Sequence, residues 1–427
     1  MSSELSRNPD PIVVTGMGAV SPLGTGVEIN WARLTAGKSG IVRNTRFDVS
    51  NFGARIAGLV PTTETDPHGF DPLVAIDPKD IKKMDLFIQY GLVAAQEALE
   101  QSGWVADTPE KQAATATVIG TGIGGSPVMA DAVETILEKG PRRLSPFTVP
   151  AFLANLAAGW ISIRHGFKGP IGAPVTACAA SAQAIGDGMR LILTGEADVA
   201  VVGGAEGSID PISVGGFGAA RALSTAFNDD PEAASRPFDR SRDGFVLAEG
   251  AAVLVIERLS HAVARGAKPL AILAGYGTSA DAYHLTSGEP TGAGAQVAMR
   301  NALKMAGLSP GEIDYINAHS TSTGIGDAAE LAGIEAVFAN RGQDLSISST
   351  KSSTGHLMGA AGALESVFSI LALRDGVVPP TRNLEDPDVG GRFDLVPKVA
   401  KLKTLRHVLS NSFGFGGVNA SLVFSAV

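Results

Sequence analysis

Short apolar runs separated by amphipathic stretches recur along the chain and predict an α/β fold. Runs of apolar, often β-branched residues at 12–16, 116–120, 197–203 and 253–256 are typical of buried strands. Between the first two runs, small and apolar residues repeat at helical spacing from about Asp85 to Leu99. Strands that alternate with helices at this spacing indicate a layered sheet covered by helices.

The pattern then begins again, which predicts two related halves. Pro269–Ala274 has the character of a strand that opens the second half, and Thr121–Gly124 is echoed by Thr323–Gly326. A four-residue match alone is weak evidence. We therefore predict an N-terminal half at residues 1–266 and a C-terminal half at 267–427.

Each half also contains an apolar strand, a polar turn and a helix rich in small residues, in that order. In the first half the strand at 175–178 leads to a helix that ends near Leu193. In the second half the strand at 347–351 leads to a helix that ends near Leu373. This shared order strengthens the prediction of an internal repeat.

Composition and charge exclude several functional classes. A length of 427 residues with 44% hydrophobic and 18% charged residues supports a large buried interior. The net charge of −9 disfavours nucleic-acid binding. No apolar run reaches the roughly 20 residues that span a bilayer, and the N-terminus has no secretory pattern. One cysteine excludes an internal disulfide and a cysteine-cluster metal site, so a cytoplasmic setting is expected.

The single cysteine, Cys178, lies between an apolar run and a predicted helix whose apolar face includes Ile185 and Met189. Its position at the N-terminus of that helix predicts a stabilised thiolate, because unpaired N–H groups and the helix dipole favour an anion there. The competing interpretation is a small buried thiol that only fills space.

Two histidines occupy comparable junctions in the second half. His319 follows the apolar run Ile313–Ile316, and His356 follows the polar turn that starts at Lys351. The carboxyl ends of strands are where α/β folds place their sites. Taken singly, each histidine could be a structural polar residue. We interpret the remaining histidines as structural: His68, His165, His261, His284 and His407.

Two charged residues and a glycine-rich segment are further candidates. Glu365 interrupts an apolar helix, where a Lys351 partner would relieve the cost of a buried carboxylate. Alternatively, both charges face water. The segment Asn411–Asn419 could aim a backbone N–H at an oxyanion, or could simply form a tight hairpin. It lacks the helix and the Lys-Ser/Thr pair of a phosphate loop.

Long motifs in a fixed order resemble the β-ketoacyl-[acyl carrier protein] synthases, especially the type II elongating enzymes of bacterial fatty-acid synthesis. The resemblance extends from about Ile12 to Phe424. It implies the thiolase fold, with two pseudo-repeated α/β halves in a five-layer αβαβα core, as a homodimer. The matching segments are Val14–Val20, Thr176–Ala179, Gly215–Ser224, Ser235–Asp239, Asp243–Val246, Asn317–Thr323, Lys351–His356 and Asn411–Gly417.

The resemblance implies decarboxylative condensation of malonyl-carrier with an acyl group held as a thioester, without a metal or redox cofactor. Cys178 would be the nucleophile, His319 and His356 would bind the malonyl thioester oxygen, and Lys351 and Glu365 would form the adjoining charge network. The backbone N–H groups of Cys178 and Phe415 would form an oxyanion hole. The implied substrate-binding positions are Thr321, Thr323, Ile123, Phe217 and Gly416.

An acidic enzyme of this type needs a basic surface for its acidic acyl carrier protein. The candidate docking residues are Lys82, Lys83, Arg142, Arg143 and Arg221. The alternative is that such residues are ordinary solvated charges, and for Lys79 this alternative is at least as good as a docking role.

Departures from the family pattern leave the reacting groups in place. They are Ser320, Gly324, Ala248 and the segment Ala179–Ser181, and they bear on chain length and loop stiffness.

Each rival class of protein differs from this sequence in at least one feature. A thiolase needs a second cysteine, a coenzyme A-dependent ketosynthase would carry Asn in place of His356, and a chain-length factor would lack Cys178. The local signature of a papain-like hydrolase is absent around the cysteine. A sibling ketosynthase of polyketide or very-long-chain lipid synthesis remains the alternative.

Overall fold

The computed structural model describes residues 10–387 and 391–427, and strands and helices alternate there as the sequence predicts. The helices are α1 Val27–Thr35, α2 Pro78–Ile81, α3 Leu86–Ser102, α4 Pro109–Ala113, α5 Ser126–Lys139, α6 Thr148–Phe152, α7 Leu156–His165, α8 Ala180–Thr194, α9 Pro211–Ala219, α10 Leu259–Ala264, α11 Ala293–Ala306, α12 Gly324–Phe338, α13 Lys351–Thr354 and α14 Ala361–Asp375. The strands are β1 Ile12–Ser21, β2 Gly24–Thr25, β3 Ile41–Arg43, β4 Ile56–Gly58, β5 Thr115–Gly120, β6 Ile171–Gly172, β7 Val199–Glu206, β8 Gly250–Arg258, β9 Ala271–Ala280, β10 Tyr315–Asn317, β11 Ser346–Ser348, β12 Val377–Val378, β13 Lys401–Leu402, β14 His407–Gly414 and β15 Val418–Ser425.

Most strands join in the order β11-β10-β14-β15-β9-β1-β8-β7-β5-β6, while β12–β13 and β3–β4 form separate pairs. The two halves meet at β1 and β9, which pair only through Val13 and Val14 of β1. Within the halves, β5 lies parallel to β7, and β10 lies parallel to both β11 and β14. Parallel strands bring their carboxyl ends to one edge, where sites form in such sheets.

Helices cover both faces of these strands and also fill the space between the halves. Helix α3 packs against β1, β7 and β8, and helix α7 packs against α3 and β5; the apolar residues of these elements form one cluster. Helices α8 and α14 pack against each other and against strands of both halves. Helices α11 and α12 cover the outer face of the second half. The predicted α/β thiolase fold, with helices in the central and both outer layers, is confirmed.

The internal repeat has a different register from the one the sequence predicts. A 3₁₀ turn at Ala177–Ala179 leads into α8, and a matching turn at Met358–Ala360 leads into α14. The first residues of these turns share a left-handed backbone, with φ of 49° at Ala177 and 47° at Met358. The structural counterpart of the Cys178 turn is therefore the Met358 turn, and the segment beginning at Ile347 lies before it.

The helix expected to run unbroken to Leu373 is interrupted. Helix α13 ends at Thr354, and Gly355 has a φ of 70°. The next residue, His356, pairs through its backbone with Val246 and Ala248 at 2.8 and 3.0 Å, so it does not start a helix.

The strand predicted at 175–178 is wrong: the nearest strand, β6, ends at Gly172, and residues 177–179 form the 3₁₀ turn. Other elements lie close to their predicted positions, although β1, β8 and β9 are longer than the apolar runs that indicated them. Within the two described ranges, no helix combines the length and apolar character needed to cross a bilayer.

Candidate active site

Cys178 lies in the buried turn before α8, and only 6% of its surface is exposed. The end of β14 approaches this turn so closely that a Cβ on Gly414 would lie 2.8 Å from the Thr176 carbonyl oxygen. The backbone N–H groups of Phe415 and of Cys178 itself are directed at the sulfur. The turn therefore presents a sulfur and two convergent N–H donors, as an oxyanion hole requires.

The prediction of a thiolate at rest is wrong. Burial raises the pKa of the Cys178 thiol to about 12, although the Lys351 ammonium and the N–H of Phe415 act to lower it. The loss of hydration outweighs the favourable position at the start of α8, so the group at rest is a thiol.

A cavity of about 540 Å³ opens above Cys178 and collects eight of the sixteen predicted site residues. Those that line it are Cys178, Phe217, Arg221, His319, Thr321, Thr323, His356 and Phe415. Ile123 and Gly416 lie outside this lining, and their roles in substrate binding stay predictions.

The two histidines face the thiol. The Cys178 sulfur and one ring nitrogen from each of His319 and His356 all lie within 4.8 Å of one another. The imidazole rings stand nearly perpendicular, with centroids 5.3 Å apart. Neither ring nitrogen of His356 has a hydrogen-bond partner among the described residues, so both are available to a substrate.

Both imidazoles are neutral. Burial, followed by the nearby Lys351 charge, lowers the pKa of His319 and of His356 well below the usual value of 6.5. A neutral imidazole can donate one N–H and accept at its other nitrogen. A thiol and two imidazoles are also zinc-type ligands, but the Lys351 ammonium acts on all three groups and opposes a bound cation.

Lys351 and Glu365 form an ion pair behind the histidines. Their side chains are 1% and 3% exposed, and the Lys351 ammonium donates a hydrogen bond to Oε1 of Glu365. The interpretation of both charges as solvated is therefore wrong. Burial raises the pKa of Glu365 to about 7, against the lowering effect of Lys351.

Sequence reasoning missed two carboxylates that hold the His319 loop. Glu330 of α12 accepts hydrogen bonds from the backbone N–H groups of His319 and Ser320, at 2.9 and 2.6 Å. Asp327, one turn earlier, accepts from the N–H groups of Ser322 and Thr323 at 3.1 and 3.3 Å. Their one sequence signal is that they are acids in a helix otherwise rich in alanine, glycine and branched apolar residues.

The predicted docking residues lie on exposed or half-buried segments. Lys83 pairs with Asp80 at 2.6 Å, and its ammonium lies 5.1 Å from the centroid of the Phe147 ring, which joins the segment before α3 to the one after α5. Lys82, Arg142 and Arg143 are exposed beside these contacts. Arg221 is exposed at the cavity itself, so the structure places one predicted docking residue at its mouth.

The family descriptions "Beta-ketoacyl synthase, N-terminal domain" and "Beta-ketoacyl synthase, C-terminal domain" match residues 9–262 and 270–385. The chain belongs to the β-ketoacyl synthase family. Among curated β-ketoacyl synthases, it is 50% identical over 412 residues to 3-oxoacyl-[acyl-carrier-protein] synthase 2 of Rhizobium meliloti, covering 96% of this chain and 98% of that protein.

Solved β-ketoacyl synthase structures have the same fold. The ishigamide ketosynthase/chain length factor superposes with a TM-score of 0.89 at 34% identity, covering 98% of this chain and 99% of that one. A second is a ketosynthase bound to the hexaketide in complex with its type II polyketide acyl carrier protein. It superposes with a TM-score of 0.88 at 31% identity, covering 98% of this chain and 100% of that one.

Proposed function

We propose that this β-ketoacyl synthase elongates fatty acids by condensing malonyl-carrier with an acyl group held on Cys178. The observation that carries the proposal is the convergence of the Cys178 sulfur and the His319 and His356 ring nitrogens within 4.8 Å in one cavity. The 50% identity to a curated 3-oxoacyl-[acyl-carrier-protein] synthase supports the choice of substrate.

The first half-reaction loads the enzyme. The Cys178 sulfur attacks the thioester carbonyl of the acyl carrier, a C–S bond to Cys178 forms, and the C–S bond to the carrier's thiol breaks. Because the resting group is a thiol, its proton must leave during attack. A neighbouring neutral imidazole can accept this proton and return it to the departing carrier thiol.

The second half-reaction releases carbon dioxide from malonyl-carrier and leaves negative charge on its thioester oxygen. Two neutral imidazoles, His319 and His356, donate N–H groups to that oxygen. The carbanion then attacks the acyl carbonyl on Cys178, and the N–H groups of Cys178 and Phe415 stabilise the oxyanion. As the oxyanion collapses, the C–S bond to Cys178 breaks, and the released sulfur takes up a proton from solvent water. Loss of carbon dioxide drives this sequence, so the proposal calls for no metal or organic cofactor.

The pantetheine arm and acyl chain would occupy the remaining cavity. Thr321 and Thr323 lie in its wall, and their hydroxyl oxygens are 3.3 Å apart, where they can bind the amides of the arm. Phe217 and Phe415, with ring centroids 6.2 Å apart, provide apolar surface beside the sulfur.

The polyketide alternative rests on the second solved structure, a ketosynthase in complex with a type II polyketide acyl carrier protein, at 31% identity. Product analysis separates the two functions. A fatty-acid enzyme adds one malonyl unit to a saturated chain, whereas a polyketide enzyme continues from its own β-keto product.

We also propose an acyl carrier protein as the partner, docked by the basic residues named above with Arg221 at the cavity mouth. Phosphate and carboxylate groups on a carrier would pair with these cations. A second copy of the chain would cover the edge strand β6, where Ile171 is more than half exposed, as are Val175 just after the strand and Ile163 of α7. A cytoplasmic location follows from the proposed pathway.

The test is intact mass spectrometry after exposure to saturated acyl carriers of several lengths, without malonyl-carrier. A gain of one acyl group, absent in Cys178→Ala, supports the proposal and ranks the chain lengths. No acylation with any donor refutes it. Malonyl-carrier added afterwards must yield a β-ketoacyl product two carbons longer, and light scattering must show a dimer.

A further inference from the structure

The carboxylate of Glu206, at the end of β7, is fully buried beside the site and has no part in the chemistry above. Its Oε2 accepts hydrogen bonds from the backbone N–H groups of Gly122 and Gly359, at 2.7 and 3.1 Å. Its Oε1 accepts from the hydroxyls of Ser208 and Thr121, at 2.8 and 3.3 Å. One side chain therefore binds segments of both halves.

The two segments that Glu206 binds, at Gly122 and at Gly359, each lie next to a residue of the substrate site or its predicted lining. Gly122 precedes Ile123, the predicted acyl-pocket position, in the loop after β5. Gly359 follows Met358, which lines the cavity and packs in the same apolar cluster as Cys178. Met358 has a φ of 47°, a strained conformation that persists only where its surroundings hold it. The hydrogen bond from the Gly359 N–H to Glu206 supplies such a restraint.

The packing leaves these segments little freedom to adjust. A Cβ on Gly359 would lie 2.1 Å from the Gly122 nitrogen, and a Cβ on Gly122 would lie 2.8 Å from Oε2 of Glu206. The two glycine backbones thus touch each other and the carboxylate directly. Losing the carboxylate would leave two buried N–H groups without a partner at the point where the halves meet.

We propose that Glu206 is a positioning residue that couples the loop carrying Ile123 to the turn carrying Met358, and thereby fixes the wall of the acyl site beside Cys178. This inference rests on the proposed function. It predicts a selective effect, because His356 is held separately by backbone hydrogen bonds with Val246 and Ala248. Loading of the acyl group should therefore depend on Glu206 more than malonyl decarboxylation does.

The geometry of the carboxylate matters here more than its charge. Burial raises the pKa of Glu206 to about 7, so the neutral form is accessible near neutral pH. A glutamine can place its oxygen toward the two glycine N–H groups and donate its amide hydrogens to the hydroxyls of Ser208 and Thr121. An aspartate is one methylene shorter and cannot reach both glycines from the same backbone position.

The experiment compares Glu206→Gln, Glu206→Asp and Glu206→Ala with the unmodified chain, all in full length. One assay measures the rate of Cys178 acylation by intact mass, and the other measures carbon dioxide release from malonyl-carrier without an acyl donor. We expect Glu206→Asp and Glu206→Ala to slow acylation about tenfold or more and to leave decarboxylation within about threefold. Glu206→Gln should stay within about threefold in both assays.

A matched control is Glu257→Asp, which shortens another buried carboxylate at the opposite end of the β7–β8 pair. It should leave both rates unchanged. If Glu206→Ala does not fold, Glu206→Asp carries the same test. An equal loss in both assays, no loss in either, or a Glu206→Gln as impaired as Glu206→Asp would overturn the inference. Failure of the unmodified chain to become acylated would instead overturn the proposed function.

Discussion

Replacing Lys351 by alanine would leave the Glu365 carboxylate alone in the interior. The two side chains are 1% and 3% exposed, so neither charge can turn to water without disturbing α14. Breaking a buried pair by removing one partner costs about 3–5 kcal/mol, because an uncompensated charge remains. We expect a loss of this size in the free energy of unfolding of Lys351→Ala at pH 8.

The loss should depend on pH. Burial already raises the pKa of Glu365 from 4.5 to about 7 with Lys351 in place, and removing the ammonium raises it further. A carboxyl whose pKa is higher in the folded state destabilises the fold as pH rises from its unfolded pKa to its folded pKa. At pH 5 Glu365 is protonated in both folded proteins, so the deficit of the variant should be smaller there. The difference between the two pH values should be at most about 1.4 kcal/mol, because the pKa of Glu365 in the unmodified chain lies only about one unit below pH 8.

Urea unfolding at pH 5 and pH 8 measures the effect, with the unmodified chain measured at each pH to cancel the other buried carboxylates. The matched control is Lys351→Met with Glu365→Gln, which removes both charges and should recover most of the stability at pH 8. A deficit of equal size at both pH values, or a deficit below about 1 kcal/mol at pH 8, would refute the reasoning.

Three further predictions follow from the site. Alkylation of Cys178 by iodoacetamide should accelerate about tenfold per pH unit from pH 7 to 10, because the thiol pKa is raised to about 12; a plateau below pH 8 would contradict this. Gly414→Ala should cost about 1–3 kcal/mol in thermal unfolding and slow acylation, since its Cβ would lie 3.2 Å from the Cys178 nitrogen. Gly218→Ala, with open space around its Cβ, is the control, and equal behaviour would refute the packing argument. Glu330→Gln should lower the condensation rate about 10- to 100-fold while Cys178 acylation persists. Three N–H donors converge on the Glu330 carboxylate, and the NH₂ group of a glutamine would oppose one of them. An unchanged condensation rate would count against the role of Glu330 in holding the His319 loop.

The meeting of Cys178, His319 and His356 could be predicted because each follows a strand or polar turn at a junction. Parallel strands in each half end at one edge, so residues just after them converge even when 141 or 178 positions apart along the chain. The same reasoning predicted the α/β layers. It did not establish whether Lys351 and Glu365 meet, because a charge in an apolar helix can face either water or a partner.

The roles of the carboxylates Glu206 and Glu330 could not be predicted, because the N–H groups that they bind belong to segments distant in the sequence. In sequence each is an acid near apolar residues, without a motif. The thiolate prediction failed for a related reason. The position of Cys178 at a helix start is visible in the sequence, whereas the depth of burial that raises its pKa arises only from packing with Gly414 and the second half. The interruption before α14 depends likewise on backbone pairing of His356 with Val246.

Of the two matching turns before α8 and α14, only the turn before α8 has room for a cysteine side chain. The residue after Met358 corresponds to Cys178, yet it is Gly359, where even a methyl group would lie 2.1 Å from the Gly122 nitrogen. The two halves therefore share a backbone turn but not its chemistry, and the enzyme has one residue, Cys178, that can hold an acyl group covalently. Acyl-carrier and malonyl-carrier must therefore reach the same sulfur in turn, so an excess of malonyl-carrier should compete with loading and produce substrate inhibition.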